Sequence, residues 1–264
     1  MHPALWKVAD ADTTIYLFGT IHVLPQGSTW FAGPLAQAVE SSDELVTEIG
    51  QVDPQEVTRA VVDLGLLPPG QSLRARMSAE DRAALEAALA ELGAPLDALD
   101  RTKPWFAANS LLLMRLGKVG ISGANGPEGD LDARFAARAR PRIPLETIRF
   151  QLGLYDALPE AVQLRFLREV IDAHEDIVAE FNRIAAEWGE GDAAELAEAM
   201  RDSDDPEIVQ RLLLDRNHAW GQWIKARLER PGTVFIAVGA GHLAGSGSVQ
   251  NELAALGIAT TRVQ

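Results

Sequence analysis

Apolar positions along this chain follow two rhythms. Near both ends they come in short, nearly unbroken runs with strand character, and through the middle they recur every three or four residues. "ALWKVADADTTIYLFG" reads as two strands around the turn Asp10-Ala11-Asp12. Gly33 to Ser42 reads as a short helix and "DELVTEIG" (43–50) as a second buried strand. Strand, helix and strand make a βαβ unit, which predicts a parallel pair. From Pro54 to Arg140 the spacing is helical. "SAEDRAALEAALAELG" has Ser78 as its cap and Gly93 as its stop, and "KPWFAANSLLLMRLG" is a strongly apolar helix. "GISGANGPEGD" (120–130) is a glycine-rich loop without phosphate-binding spacing. "RIPLET" (142–147) reads as a short strand, and Pro159 to Glu229 as a long helical stretch broken by "GEGD" and "DSDDP". The chain closes with "GTVFIAVG" (strand), "SVQNELAALG" (helix) and "IATTRVQ" (strand), a second βα(β) unit.

Parallel units at both ends with helices between them predict one α/β domain over residues 1–264. It would hold a mostly parallel central sheet with flanking helices, and a mainly helical middle region, about 54–230, as an insertion or cap. A net charge of −14, from 38 acidic and 24 basic residues, argues against nucleic-acid binding, which needs basic surface to neutralise phosphates. The absence of cysteine excludes disulfides, thiolate catalysis and iron–sulfur clusters. Any metal must then be held by His, Asp, Glu or backbone oxygen. No apolar run reaches 18 residues, so no membrane-spanning helix is expected. Met1-His2-Pro3 leads almost at once into a strand without a signal peptide, which fits a start left by processing or truncation.

The candidate chemistry gathers at the strand ends. "IYLFGTIH" (15–22) and "FIAVGAGH" (235–242) both stop at Gly-x-x-His, and the chain has only five histidines. His22 and His242 would therefore lie just past the carboxyl ends of two strands, where open α/β sheets bind their ligands. Glu48 and Glu146 end two further strands on the same edge. Two imidazoles and one or two carboxylates suit a divalent ion such as manganese, cobalt, zinc or iron, with an open position for water. The spare carboxylate, Glu48 or Glu146, would be the general base. Gly19 and Gly239, with Gly241, would allow the backbone turns that bring each histidine back over the edge.

Arg216 falls on the apolar stripe Val209, Leu212/Leu213, Trp220 and Trp223, so its buried cation needs an anionic partner, either a site glutamate or a substrate carboxylate. The other histidines carry less. His174 lies on the stripe Leu167, Ile171, Val178, Phe181 and reads as a polar residue packed between helices. His218 reads as solvent-facing, His2 as terminal, and Trp105, Trp188, Trp220 and Trp223 as core.

With these residues in view, the chain resembles the TraB/GumN family, related to the TIKI metalloproteases and to the pheromone-shutdown protein PrgY. The resemblance runs through "LWKV", "IYLFGTIHVLP", "ELVTEI", "KPWFAA", "GDLDARFAARARPRIPLET", the following "QL", "LLDRNHAW" and "FIAVGAGHLAG". It implies a ChaN/EreA-like fold and places His22, Glu48 and His242 in the active or metal site, supported by Gly19 and Gly239. Asp130-Leu131-Asp132 stands where relatives carry Gly-Val-Asp, so Asp132 keeps the acidic position and Asp130 replaces the glycine. The expected function is metal-dependent hydrolysis, of the peptidase kind, with a peptide or small molecule as substrate. Alternatives are a non-catalytic regulator that sequesters a peptide, and a haem- or iron-binding protein of the ChaN type. Export to the periplasm is implied if a leader has been removed, and the cytoplasm otherwise. An oligomer stays open.

Overall fold

A computed structural model describes residues 1–21, 24, 27–120, 126–173, 177–199 and 205–264. In chain order the elements are β1 (Leu5–Ala9), β2 (Thr13–Thr20), α1 (Gly33–Ser41), β3 (Glu44–Ile49), α2 (Pro54–Gly65), α3 (Ala79–Glu91), α4 (Pro104–Lys118), α5 (Pro127–Ala137), β4 (Arg142–Glu146) and α6 (Ile148–Asp156). There follow α7 (Glu160–Asp172), α8 (Ile177–Glu190), α9 (Ala193–Ala199), α10 (Pro206–Val209), a π-turn (Gln210–Leu214), α11 (Asp215–Leu228), β5 (Gly232–Gly239), a 3₁₀ turn (Ala240–Leu243), α12 (Val249–Ala255) and β6 (Thr261–Arg262).

The sheet order is β4-β3-β5-β2-β1-β6. β4, β3, β5 and β2 run parallel, whereas β1 pairs antiparallel with β2 and with β6. The fold is therefore α/β around a mixed, mostly parallel sheet, as the apolar pattern predicts. Two details differ from the sequence reading. β2 and β3 flank α1 but are not neighbours, because β5, from the far end of the chain, lies between them and pairs with both. The closing segment contributes only Thr261 and Arg262 as strand. It pairs antiparallel with β1 at the opposite edge rather than completing a parallel unit beside β5.

Why these runs lack strict alternation is clear from the packing: both faces of the sheet are covered. Ile15, Leu17, Val234, Ile236 and Val238 face Trp220, Ile224, Val249 and Leu253 of α11 and α12. From the other face, Phe18, Phe235 and Leu45 pack against Trp30, Leu35, Phe135 and Trp188. The middle helices carry a core of their own, with Leu85 and Leu89 of α3 against Leu111 of α4 and Leu167 and Ile171 of α7. Ser78 accepts the Asp81 N–H at the start of α3, and Gly93 takes a left-handed φ of 69° at its end, as cap and stop residues do. Trp105, Trp188 and Trp220 are buried.

Candidate active site

Three strands and two helices deliver the site. Register brings Ile49 of β3 opposite Glu146 of β4, and Thr47 opposite Ala237 of β5, so the carboxyl ends of these strands form a continuous edge. Glu48 and Glu146 rise from that edge. Past Gly239 the 3₁₀ turn carries His242 over it, and α11 runs across it with Arg216, Asn217 and Trp220 facing inward. Gln151 of α6 closes the fourth side by donating to Glu48 Oε2 (3.0 Å) and Glu146 Oε2 (2.9 Å).

Arg216 is the centre of this cluster. Its Nε donates to Glu146 Oε1 at 2.9 Å, and its Nη2 to Glu146 Oε2 at 2.9 Å and Glu48 Oε2 at 2.5 Å. Nη1 donates to the Leu212 carbonyl and to His242 Nε2, both at 3.0 Å. A guanidinium has five N–H groups, so every donor of Arg216 is taken. The anionic partner that a cation on an apolar stripe requires is the pair Glu48 and Glu146. Trp220 adds a further donor, Nε1 to Glu146 Oε1 at 3.0 Å, and lies against both the guanidinium and the His242 ring.

The tautomer of His242 follows from its partners. Nδ1 lies 2.5 Å from Asn217 Oδ1, while Asn217 Nδ2 donates to the Gly247 carbonyl at 2.8 Å. An amide oxygen only accepts, so the ring proton sits on Nδ1 and Nε2 presents its lone pair to Arg216. Burial pushes the His242 pKa down to about 4. The pull of Glu48 works against this and the charge of Arg216 adds to it. The ring is therefore neutral at pH 7. For Glu48, burial alone would raise the carboxyl. A protonated His242, the Arg216 guanidinium and the Gly239 N–H (2.6 Å from Oε1) outweigh it and hold the group below its ordinary value. With His242 neutral at pH 7, Arg216 and Gly239 keep Glu48 ionised. Arg216 itself is held above its usual value by the two glutamates in spite of burial.

The motif glycines act by clearance rather than by unusual backbone, since neither Gly19 nor Gly239 has a positive φ. A Cβ on Gly19 would stand 2.9 Å from Ala240 Cα, and one on Gly239 would stand 3.1 Å from Glu48 Oε1. The first motif's glycine thus admits the second motif's turn, and the second motif's glycine admits the glutamate.

The structure brings together Glu48, Glu146, Arg216 and His242. His22 and His174 lie outside the described residues. His218 is exposed and bonds to Glu252 Oε2 at 2.9 Å, away from the cluster. Asp132 accepts from Arg142 and Gln51, tying α5 to β4 and the loop after β3. Among the described residues, no group of three or more His, Asp or Glu side chains is arranged to hold a metal ion. The reason is visible: the guanidinium stands among Glu48, Glu146 and His242. Asn217 and Gln151 were not singled out by the sequence reading, although both lie in the segments "LLDRNHAW" and "QL". Asn217 also follows the core-facing Arg216 directly, a second signal for it in the sequence.

Two cavities flank the cluster. One, of about 370 Å³, is lined by Thr20, Thr47, Glu48, Asp132 and Gln151. The other, of about 390 Å³, lies on the α11 side and is lined by Glu146, Phe150, Arg211, Arg216, Trp220 and Trp223 among others.

A model of the TraB/PrgY/gumN family matches residues 4–262. The uncharacterized protein YbaP of Escherichia coli (strain K12) is 22% identical over 251 residues, 95% of this chain and 92% of its own length. YbaP of Shigella flexneri matches with the same identity and coverage. No solved structure gives a significant match.

Proposed function

The chain belongs to the TraB/PrgY/gumN family, and from the geometry of its sheet edge we propose that it is a hydrolase, of the peptidase kind, that uses a divalent ion. The observation carrying this is the presentation of His242. Its Nδ1 is fixed by Asn217, and its Nε2 lone pair is turned inward, 3.8 Å from Glu48 Oε1. Two donors at about 2 Å from one ion stand no more than about 4 Å apart, so this pair has the spacing for a common ion once Arg216 Nη1, 3.0 Å from Nε2, gives way. Both groups are also in the form a metal requires, a neutral imidazole with its second nitrogen anchored and an ionised carboxylate. His242 and Glu48 would hold manganese, cobalt, zinc or iron, with His22 as the third ligand. The ion would supply an acidified water and a polarised carbonyl.

The protein's own residues divide the remaining work. Both oxygens of Glu146 accept hydrogen bonds, from Arg216, Trp220 and Gln151, which supports a positioning role that anchors the guanidinium. Glu48 is less enclosed, with 17% of its side chain exposed against 6% for Glu146, and it lines the 370 Å³ cavity. Its claim to the proton rests on that cavity contact alone, since both its oxygens also accept hydrogen bonds, from Gly239, Arg216 and Gln151, and its pKa is held down. Glu48, a ligand through one oxygen, would take a proton from water at the other as the water oxygen bonds to the acyl carbon. The C–N bond then breaks, and the proton passes to the leaving nitrogen.

A second reading, a peptide-sequestering protein without turnover, is favoured by one contact: Arg216 Nη1 covers the Nε2 lone pair that an ion would need. Elemental mass spectrometry on untagged protein separates the two, combined with a peptide library digested by wild type, His242→Ala and Glu48→Gln. About one equivalent of metal and cleavage, both reduced in the variants, supports the hydrolase. No metal after soaking with each ion, with peptides bound but uncut, supports the binder.

A further inference from the structure

The cavity of about 390 Å³ on the α11 side has the size of a pocket for a small ligand. Its walls are largely apolar and aromatic, from Leu145, Phe150, Leu154, Trp220 and Trp223; Glu146, Arg216 and Asp215 also line it, Asp215 accepting from Gln210 Nε2 at 2.6 Å rather than from Arg211. Two arginines face this space, and they differ. Arg216 has every N–H engaged. Arg211 is half-buried in the same wall and, among the described residues, its guanidinium forms no hydrogen bond or ion pair.

A cation beside apolar surface without an anionic partner is a site for an external anion. Arg211 also sits within the π-turn Gln210–Leu214. An α-helix would set residues 211 and 216 about 140° apart around its axis. The wider π-turn draws positions five apart toward one face, and such turns recur at functional sites. Here it brings a fully engaged arginine and an unpartnered one onto the wall of one cavity.

We propose that this cavity binds the carboxyl-terminal residue of a peptide. A large apolar or aromatic side chain lies against Phe150, Trp220 and Trp223, and its α-carboxylate pairs with Arg211. As a substrate pocket this rests on the hydrolase reading. As a binding site it rests on the cavity and on Arg211 alone.

Titration with N-acetylphenylalanine, N-acetylphenylalanine amide and N-acetylglycine tests it, followed by tryptophan fluorescence and by calorimetry. The acid should bind at least about tenfold more tightly than the amide, since a charge-assisted arginine–carboxylate pair is lost, and more tightly than the glycine analogue. Arg211→Ala should bring the acid and the amide to equal affinity. Having no internal partner to lose, this variant should keep the wild-type circular dichroism spectrum and unfolding midpoint. Trp223→Ala should weaken both phenylalanine ligands while keeping their ratio. Equal affinity for acid and amide in the wild type, or discrimination that survives Arg211→Ala, would overturn the proposal.

Digestion of peptide pairs ending in free or amidated phenylalanine keeps this question apart from the hydrolase reading. Discrimination in binding without cleavage upholds the pocket and removes the hydrolase. Cleavage that ignores the terminal carboxylate upholds the hydrolase and removes the pocket.

Discussion

His242 Nδ1 and Asn217 Oδ1 are 2.5 Å apart, and the other end of that amide is fixed on Gly247. The contact decides which ring nitrogen is available to the site. Nitrogen-15 spectra of the histidine rings should show, at pH 7, a protonated Nδ1 and a bare Nε2 for His242. Asn217→Leu removes the acceptor, and both tautomers should then be populated. Asn217→Asp replaces the amide oxygen with a charged acceptor and should raise the ring's pKa. A wild-type ring carrying its proton on Nε2 would contradict the assignment.

Burial of a neutral imidazole makes stability depend on pH. The His242 pKa falls to about 4 in the folded chain, against roughly 6.5 when unfolded. Between those values the unfolded state binds the proton and the folded state does not. The contribution is therefore complete above about pH 6.5 and is lost as pH falls toward 4, by a few kcal/mol. Urea unfolding of chelator-treated protein at pH 7, 5.5 and 4.5 measures it. His242→Gln should flatten the decline across this window, and an equally steep decline in that variant would remove His242 as its source.

Arg216 neutralises two carboxylates that are largely shielded from water, with 17% and 6% of the Glu48 and Glu146 side chains exposed. Removing it leaves them uncompensated, so Arg216→Met should cost about 3–5 kcal/mol of stability. Adding Glu146→Gln should recover part of that loss, because one buried charge goes with it. Denaturant unfolding of the wild type, both single variants and the double variant gives the coupling between the two residues. Additive losses would show that the contact carries no net energy.

The sheet was legible because its strands are short apolar runs bounded by turn residues, and the core-facing position of Arg216 was legible from the stripe of α11. Pairing across the chain was not. Nothing local in "FIAVG" says that β5 will lie between β2 and β3, since that order follows from burying both faces of the sheet at once. The roles of Asn217 and Gln151 depend on distances between elements far apart in sequence, 25 residues for Asn217 and His242 and 103 for Gln151 and Glu48. The arginine's saturation was hidden for the same reason. Sequence spacing shows that a buried cation needs an anion, but not that five donors will find five acceptors.

The glycines of the two motifs separate stability from site geometry. In Gly19→Ala the new Cβ would lie 2.9 Å from Ala240 Cα, a backbone atom fixed at the end of β5, so the strands must part. Overpacking of this kind costs about 1–3 kcal/mol. Gly153, inside α6, has nothing within 4 Å of an added Cβ, and Gly153→Ala should leave stability unchanged or raise it by up to about 1 kcal/mol. Gly239→Ala is the informative case. Its nearest neighbour, at 3.1 Å, is the end of a rotatable carboxylate, Glu48 Oε1, which can swing aside. Its stability loss should therefore be smaller than that of Gly19→Ala. The displaced carboxylate would give up the Gly239 N–H and its 3.8 Å approach to His242 Nε2. Thermal unfolding beside metal content distinguishes the two sites: Gly239→Ala should keep most of its stability and, if the metal-dependent reading holds, take up less metal than the wild type. If instead it unfolds as readily as Gly19→Ala, the glycine serves the fold, and its clearance of Glu48 is incidental.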